Sequence, residues 1–352
     1  MKAAFLTGIH EIEIRDAPEP ALRNPEDVML RIEAVGVCGS DIHYYAEGRI
    51  GAQTVSFPEI IGHECSGTVT ATGGAVRSLK AGQRVAIDPL LPCGECDQCL
   101  AGRPHTCRRQ RFLGCPGQAS GALAEYLVIP ARCCYPVPGS MSAAQAAMVE
   151  PLSVALHSRR LAPLKPGAKI AILGAGPIGL LVLLACRATL RDLRFYVTDL
   201  IDERVEVARQ CGADWAGNPR HGDIRAAIAA REPLGLDAVF ECAGKQETLD
   251  QAAELLKPGG TLLIVGIPEL DRVSFDPHLL RRHELEVKSV RRQNDCVPSA
   301  IELIASGAVS VDRLVTHRFP LTETKTAFDL VASYSDGVIK AMVETTAGDV
   351  RT

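Results

Sequence analysis

The segment Lys169–Asp199 constrains the fold more than any other stretch of the chain. KIAIL is a short apolar run. It ends in Gly174-Ala175-Gly176-Pro177-Ile178-Gly179, and a helix-length apolar stretch, PIGLLVLLACRATL, follows. A second strand-like run, FYVTD, closes on Asp199, 20 residues after Gly179. A G-x-G-x-x-G hexamer alone says little. Set between a strand and a helix, with an acidic residue ending the next strand, it is the fingerprint of a dinucleotide-binding turn. Gly174 permits the tight turn, Gly176 lets the backbone approach a pyrophosphate, and Gly179 lets helix and strand pack closely. Pro177 and Ile178 open the helix, whose free N–H groups and dipole would face the phosphates. Asp199 can accept from a ribose 2′-hydroxyl and would repel a 2′-phosphate, which favours NAD over NADP. Arg204, five residues on, can counter that preference. A glycine-rich turn with a purely structural purpose is the alternative.

The same alternation continues downstream. DERVEVARQCG has helical spacing and a Gly stop, LDAVFECAG reads as a strand, TLDQAAELLKPGG as a helix ended by Pro-Gly, and TLLIVGI as a fourth strand containing Val265. Strand–helix alternation implies a parallel sheet with helices on both faces. Upstream the pattern differs. MKAAFL, VMLRIEAVGV, CSGTVTAT, RVAID and AEYLVI are short apolar runs between turn signals, as in a barrel or sandwich. Past Arg292, VPSAIELIASG reads as a helix and RLVTHRFPL as a strand, too little chain for a third domain. A length of 352 residues suits two domains. We expect a β-rich domain over 1–154, an α/β nucleotide-binding domain over 155–293, and a return to the first over 294–352.

Charge excludes one broad class. Lys plus Arg number 38 against 42 Asp plus Glu, a net charge of −4, so no global basic field invites nucleic acid. The N-terminus lacks the apolar core of a secretory signal, and the most apolar run, Lys169–Ala185, is broken by the glycine turn. We expect a soluble cytoplasmic protein with no membrane segment. The 13 cysteines fit that compartment as thiols. Four of them, Cys93-x₂-Cys96-x₂-Cys99-x₇-Cys107, crowd one loop with Gly94, Gly102 and Pro104. Four soft ligands so close together suit a closed, structural zinc site; an iron–sulfur cluster is the competing ligand reading.

Three further stretches carry a family resemblance. Gly62-His63-Glu64-x-x-Gly67-x₅-Gly73-x-x-Val76 resembles the zinc signature of medium-chain alcohol dehydrogenases. Val37-Cys38-Gly39-Ser40-Asp41-Ile42-His43-Tyr44 and the run from Val149-Glu150-Pro151 to His157 are similar to the polyol branch, the sorbitol and xylitol dehydrogenases. The resemblance implies a GroES-like, partly open β-barrel as catalytic domain beside a Rossmann doubly wound parallel sheet, with the active site in the cleft between them. It implies two zinc ions per chain and NAD. Cys38, His63 and Glu150 would hold the catalytic zinc, and Cys93, Cys96, Cys99 and Cys107 the structural one. Glu64 would lie beside the catalytic zinc or serve as an alternative ligand. Ser40 and His43 would relay the proton leaving the alcohol. Tyr44 would line the substrate pocket, Val265 the cofactor site, and Arg292 the place where cofactor and substrate meet. A homodimer or homotetramer acting on a polyol or sugar-derived substrate would follow.

The chain also departs from that branch. Val290-Arg291-Arg292-Gln293-Asn294-Asp295 and Leu113-Gly114-Cys115-Pro116 replace the aromatic and threonine residues expected around the pocket. Arg291 with Arg292 would favour a carboxylate and hence a sugar acid such as a hexonate. In the blander reading, one arginine packs on the cofactor and the other is solvated. An amino alcohol such as threonine keeps the same chemistry, and Gly121–Pro130 resembles that branch, which commonly carries Asp where Glu150 stands. A different class altogether is a non-catalytic zinc protein that senses redox state through NAD. Zinc-free quinone reductases are disfavoured, since Cys38, His63 and Glu150 would lack a purpose.

Overall fold

The computed structural model describes residues 1–345. The chain opens with β1 (Lys2–Gly8), β2 (Glu11–Asp16), β3 (Asp27–Gly36), α1 (Gly39–Glu47), β4 (Arg49–Ile50), β5 (Gln53–Thr54) and β6 (Glu64–Thr72). Then come β7 (Arg84–Ile87), β8 (Leu90–Leu91), α2 (Asp97–Leu100), β9 (Arg111–Phe112), β10 (Tyr126–Pro130), β11 (Cys134–Pro136) and α3 (Ala143–Ala147). Helix α4 (Val149–Leu161) leads into β12 (Lys169–Leu173), α5 (Pro177–Thr189), β13 (Arg194–Thr198), α6 (Asp202–Gln210), β14 (Trp215–Gly217) and α7 (Ile224–Ala229). These are followed by β15 (Leu236–Glu241), α8 (Gln246–Leu255), β16 (Leu256–Ile264), α9 (Pro277–His283) and β17 (Glu286–Ser289). The last elements are α10 (Val297–Ala305), β18 (Val315–Pro320), α11 (Thr324–Ala332) and β19 (Lys340–Glu344).

Two compact units result. One is Met1–Glu150 together with the chain from Val297 on, and the other is Pro151–Cys296. The sequence patterns put these breaks at 154/155 and 293/294. Helix α4 runs through the first break, so no turn residue marks it.

In the first unit β3 is the organising strand. One edge pairs with β6; the other pairs with β10 over Asp27–Arg31 and with β19 over Ala34–Gly36. Register shifts between Met29 and Leu30 and between Ile32 and Ala34 bend the β3–β6 ladder. The sheet runs β11-β7-β6-β3-β19-β18, so the returning C-terminal strands complete the same sheet. Alternate residues of β3, Val28, Leu30 and Ile32, are fully buried in the core of this unit. Glu33 on the same strand is held by Arg84 Nε of β7 (2.6 Å) and Thr68 Oγ1 of β6 (2.8 Å). Those bonds outweigh its burial and keep its carboxyl below the usual range.

The second unit is one parallel sheet ordered β14-β13-β12-β15-β16-β17. Counted within the unit this is 3-2-1-4-5-6, the doubly wound order that reverses between its first and fourth strands. Its inner strands are apolar on both faces, because helices cover both. One local reading needs correcting. Lys257-Pro258-Gly259-Gly260 does not end the preceding helix as a turn; it lies within β16. Its extra residues are absorbed where the β15–β16 register jumps from Leu236–Leu256 to Ala238–Thr261, an irregularity that Pro and Gly tolerate.

Candidate functional site

Cys38 is the N-cap of α1, and its backbone N–H donates to Asp41 Oδ2 at 3.2 Å. His63 sits just before β6, and Glu64 is that strand's first residue. The sheet brings one atom each of Cys38, His63 and Glu64 within 4.8 Å of one another. This tight group has Glu64 where the resemblance places Glu150. Glu150 is buried nearby, coupled electrostatically to both His63 and Glu64. The physical difference between the two carboxylates is Lys340. Its ammonium is buried on β19, 2.5 Å from Glu64 Oε2, and donates to the Val37 carbonyl at 3.0 Å. Glu64 therefore has a counter-ion, whereas the strongest favourable charge acting on Glu150 is His63.

His63 Nδ1 lies 3.4 Å from Asp41 Oδ1. Burial presses the imidazole towards neutrality, but Asp41 and Cys38 more than reverse this and raise its pKa well above the ordinary value. Burial, opposed by His63 and reinforced by Glu64, pushes Glu150 up to about 7. A cluster that raises both groups in this way is short of positive charge. With a thiolate and an imidazole as donors, it fits a divalent cation of zinc's type.

The second cluster lies on the loop around α2. Its sulfurs form a closed ring of distances: Cys93–Cys107 3.4 Å, Cys107–Cys96 3.8 Å, Cys96–Cys99 3.6 Å and Cys99–Cys93 3.9 Å. Four sulfurs ~2.3 Å from one tetrahedral zinc would be spaced by roughly 3.8 Å. The loop thus suits a single ion better than a multi-iron cluster. Backbone N–H groups of Arg108 and Cys99 lower Cys96 to about 6, while burial pushes Cys99 up to about 12. The flanking charges pair locally, Arg108 with Asp97 and Arg109 with Glu95.

At the nucleotide turn each glycine has a distinct environment. Gly174 has φ +103°, closed to most side chains, and a Cβ on Gly179 would fall 1.9 Å from the Gly174 carbonyl oxygen. Gly176 is different: only the Arg204 guanidinium, 3.7 Å away, would approach a Cβ there. That opening, at the N-terminus of α5, is where a pyrophosphate fits. Asp199 accepts from the N–H groups of Ala175 (2.7 Å) and Ile201 (2.9 Å). Burial raises its pKa and Arg204 acts to lower it. Arg204 is buried, and its charge acts on Asp199 itself. Val265 follows β16 and donates to the Glu241 carbonyl at 2.8 Å.

Other expected residues are engaged differently. Ser40 Oγ donates to Cys38 Sγ at 3.3 Å, and His43 Nδ1 faces Glu47 at 3.5 Å, so neither contact joins Ser40 to His43. Tyr44 is buried with its hydroxyl 3.4 Å from Cys115 Sγ. Arg292, in the second unit, has φ +52°. Sequence reasoning missed Asp41 and Lys340. Asp41 had a signal, an acidic residue three after the N-cap. Lys340 had one as well: it heads the otherwise apolar, buried Ala341-Met342-Val343.

A parallel sheet with this turn, in a chain that also gathers cysteine, histidine and carboxylate ligands, defines a metal-using, dinucleotide-dependent dehydrogenase. Comparison with known proteins carries this further. The family model for the alcohol dehydrogenase GroES-like domain matches residues 24–139, and that for the zinc-binding dehydrogenase matches residues 177–306. Sorbitol dehydrogenase of Bacillus subtilis strain 168 is 36% identical over 344 residues, 97% of each chain. L-idonate 5-dehydrogenase of Vitis vinifera is 36% identical over 327 residues, 91% of this chain and 88% of its own. A crystal structure of a zinc-binding dehydrogenase from Sinorhizobium meliloti 1021, bound to NADP, has a TM-score of 0.89 at 32% identity, covering 98% of this chain and 99% of that one. The chain belongs to the zinc-dependent medium-chain alcohol dehydrogenases, in their polyol dehydrogenase branch.

Proposed function

We propose that the chain oxidises a secondary hydroxyl of a polyol to the ketone, with NAD as acceptor and zinc held by Cys38, His63 and Glu150. The observation that carries this reading is the grouping of half-buried Cys38 with buried His63 and Glu64, one ligand atom of each within 4.8 Å of the others, with Glu150 buried alongside. The near full-length similarity to a sorbitol dehydrogenase supports the substrate class. When bound, zinc supplies Lewis acidity towards the substrate hydroxyl and nicotinamide supplies the acceptor for hydride. Asp41 orients His63 through Nδ1, which leaves Nε2 for the metal. Lys340 keeps Glu64 engaged, which leaves Glu150 as the third ligand. Ser40, already on the Cys38 sulfur, is the first carrier for the proton the alcohol gives up, and His43 is the next along α1. Four thiolates at Cys93, Cys96, Cys99 and Cys107 hold a second, structural zinc. NAD is preferred because Asp199 stands where a 2′-phosphate would go; Arg204 and the NADP-bound neighbour mark the opposing choice.

A sugar acid is the second reading. Arg291 and Arg292 put two adjacent guanidinium groups on one loop, a pair that suits a carboxylate, and one relative is an L-idonate 5-dehydrogenase. We also infer a homo-oligomer formed through the edge strand β17, where Val287 and, just before α9, Leu270 and Val273 are exposed. A cytoplasmic setting agrees with the 13 free cysteines. Among the described residues no helix is long and apolar enough to cross a membrane.

The test is NADH formation by the zinc-loaded protein on sorbitol, xylitol, galactitol, arabinitol, threitol, hexonates and threonine, with and without a chelator. Chelator-sensitive turnover of a polyol supports the proposal. Turnover of hexonates alone transfers it to the sugar acids, and turnover of none, with NAD and zinc bound, overturns the substrate class.

A further inference from the structure

Glu241, the last residue of β15, is fully buried in the second unit, and nothing in the chemistry above uses its carboxyl. It stands in register with Leu173, the last residue of β12, on one side and with Ile264, the last of β16, on the other. Strands β12 and β15 are the pair at which the sheet order reverses, where ligands of doubly wound sheets lie beyond the strand ends. From there Glu241 binds both loops that leave the sheet beside the Gly174–Gly179 turn. Its Oε1 accepts from the N–H groups of Ala243 (2.8 Å) and Gly244 (2.7 Å) and from Thr248 Oγ1 (2.8 Å) in the first turn of α8. Its backbone carbonyl accepts from the N–H groups of Val265 (2.8 Å) and Gly266 (2.9 Å). Oε2 faces Gly266, where a Cβ would fall 2.9 Å from it, and accepts no hydrogen bond among the described residues. The loops also press on one another. A Cβ on Gly244 would fall 2.2 Å from the Ile267 carbonyl oxygen, and one on Gly174 would fall 3.1 Å from the Ala243 nitrogen.

We propose, resting on the dinucleotide reading above, that Glu241 is a positioning residue for the half of the cofactor beyond the pyrophosphate. In that reading Asp199, which follows β13, takes the adenosine ribose, and Gly176 takes the pyrophosphate. The nicotinamide half then extends the other way, over the ends of β15 and β16. Those ends carry the two loops that Glu241 ties together. Ala243 and Ile267 are exposed and Val265 is half-buried, so the loops present themselves outward while the carboxyl that spaces them stays inside. A seat held in place before the cofactor arrives costs less ordering when it binds. The side chain's bonds do not need a full negative charge. Burial pushes the carboxyl above its ordinary range, and Thr248 and the N–H groups of Ala243 and Gly244 oppose this. All three side-chain bonds meet on one oxygen, so the single oxygen of an amide can receive them as well.

The test is calorimetric binding of NADH, and of ADP-ribose, which lacks the nicotinamide, to the zinc-loaded chain. Glu241→Met keeps the length of the side chain and removes its acceptors. Its dissociation constant for NADH is expected to rise roughly tenfold, as the loss of about one net hydrogen bond would cause. ADP-ribose is expected to bind as it does to the parent. Glu241→Gln keeps an oxygen at the meeting point and should bind both ligands as the parent does. Thr248→Val removes one of the three donors and leaves the carboxyl in place. It should show the same selective loss, smaller in size, and it decides by the same criterion if Glu241→Met does not fold. An equal loss of NADH and ADP-ribose makes Glu241 merely structural. Unchanged NADH binding removes it from the cofactor's seat. A Glu241→Gln chain as weak as Glu241→Met makes charge, and not the shared acceptor, the cause. Each of these three results overturns the proposal while the dinucleotide reading stands. A parent chain that binds neither NADH nor ADP-ribose overturns the dinucleotide reading itself, and this inference with it.

Discussion

Replacing Lys340 by methionine should be among the most damaging single changes in the first unit. Lys340 and Glu64 are each almost fully buried, and Nζ lies 2.5 Å from Oε2. At an effective dielectric of ~20 their attraction is roughly 7 kcal/mol. Desolvating each ion costs several kcal/mol, so the intact pair comes close to break-even. Losing one partner is another matter, because the carboxylate stays buried without its cation. Lys340→Met should therefore destabilise the unit by about 3–5 kcal/mol. Glu64→Gln should cost a similar amount, and the Glu64→Gln/Lys340→Met double variant should recover most of it. The assay is urea unfolding at one fixed zinc concentration, since metal that binds only the folded form stabilises it by mass action. Far-UV circular dichroism follows the whole chain, and the single tryptophan, Trp215 in the second unit, serves as an internal control that should not shift. A Lys340→Met variant within about 1 kcal/mol of the parent, or a double variant no better than either single one, would refute the reasoning.

Three other outcomes follow from the same geometry. Cys96→Ser should remove one zinc per chain, measured by elemental analysis, and unfold the loop locally, seen as faster hydrogen exchange around α2, with NAD binding intact. Asp199→Ala should move the NAD-to-NADP preference towards NADP by roughly tenfold or more, and Arg204→Leu should move it the other way, both read from cofactor KM values. Glu33 is held below its ordinary value of 4.5 by Arg84 and Thr68 despite burial, so its contribution is present above about pH 4.5 and is lost as pH falls through the lowered folded value. Glu33→Gln should thus be less stable than the parent at pH 7, and the gap should close under acid, measured by denaturation at a series of pH values.

What could be read from the sequence was what depends on near neighbours. The turn at Gly174–Gly179 is dictated by backbone sterics, and the three glycines occupy a left-handed position, an open approach and a close contact, as their spacing suggests. The four cysteines between Cys93 and Cys107 needed only one loop to bring them together. That Glu64 joins Cys38 and His63 was harder to foresee, because its buried carboxylate is paired with a lysine 276 residues away. Glu64 reaches the cluster through β6, and Lys340 arrives on β19 only because the C-terminal chain rejoins β3. The contact of Gln53 with Cys115 likewise spans 62 residues and leaves no periodic trace. Lys257–Gly260 misled for the opposite reason: its local turn chemistry is real but is spent inside a strand.

A metal held at Cys38 and His63 is expected to do the chemistry, and a metal at the four cysteines only to brace its loop. The most direct measurement is activity against zinc content during stepwise chelation, in the parent and in Glu150→Ala. In the parent, polyol oxidation should fall in proportion to the first zinc released, with the fold and NADH binding unchanged. Glu150→Ala should retain the four-cysteine zinc and bind NADH, yet oxidise polyol at least ~100-fold more slowly. Full activity in a chain with no zinc at the Cys38–His63 site, or in Glu150→Ala, would contradict the account.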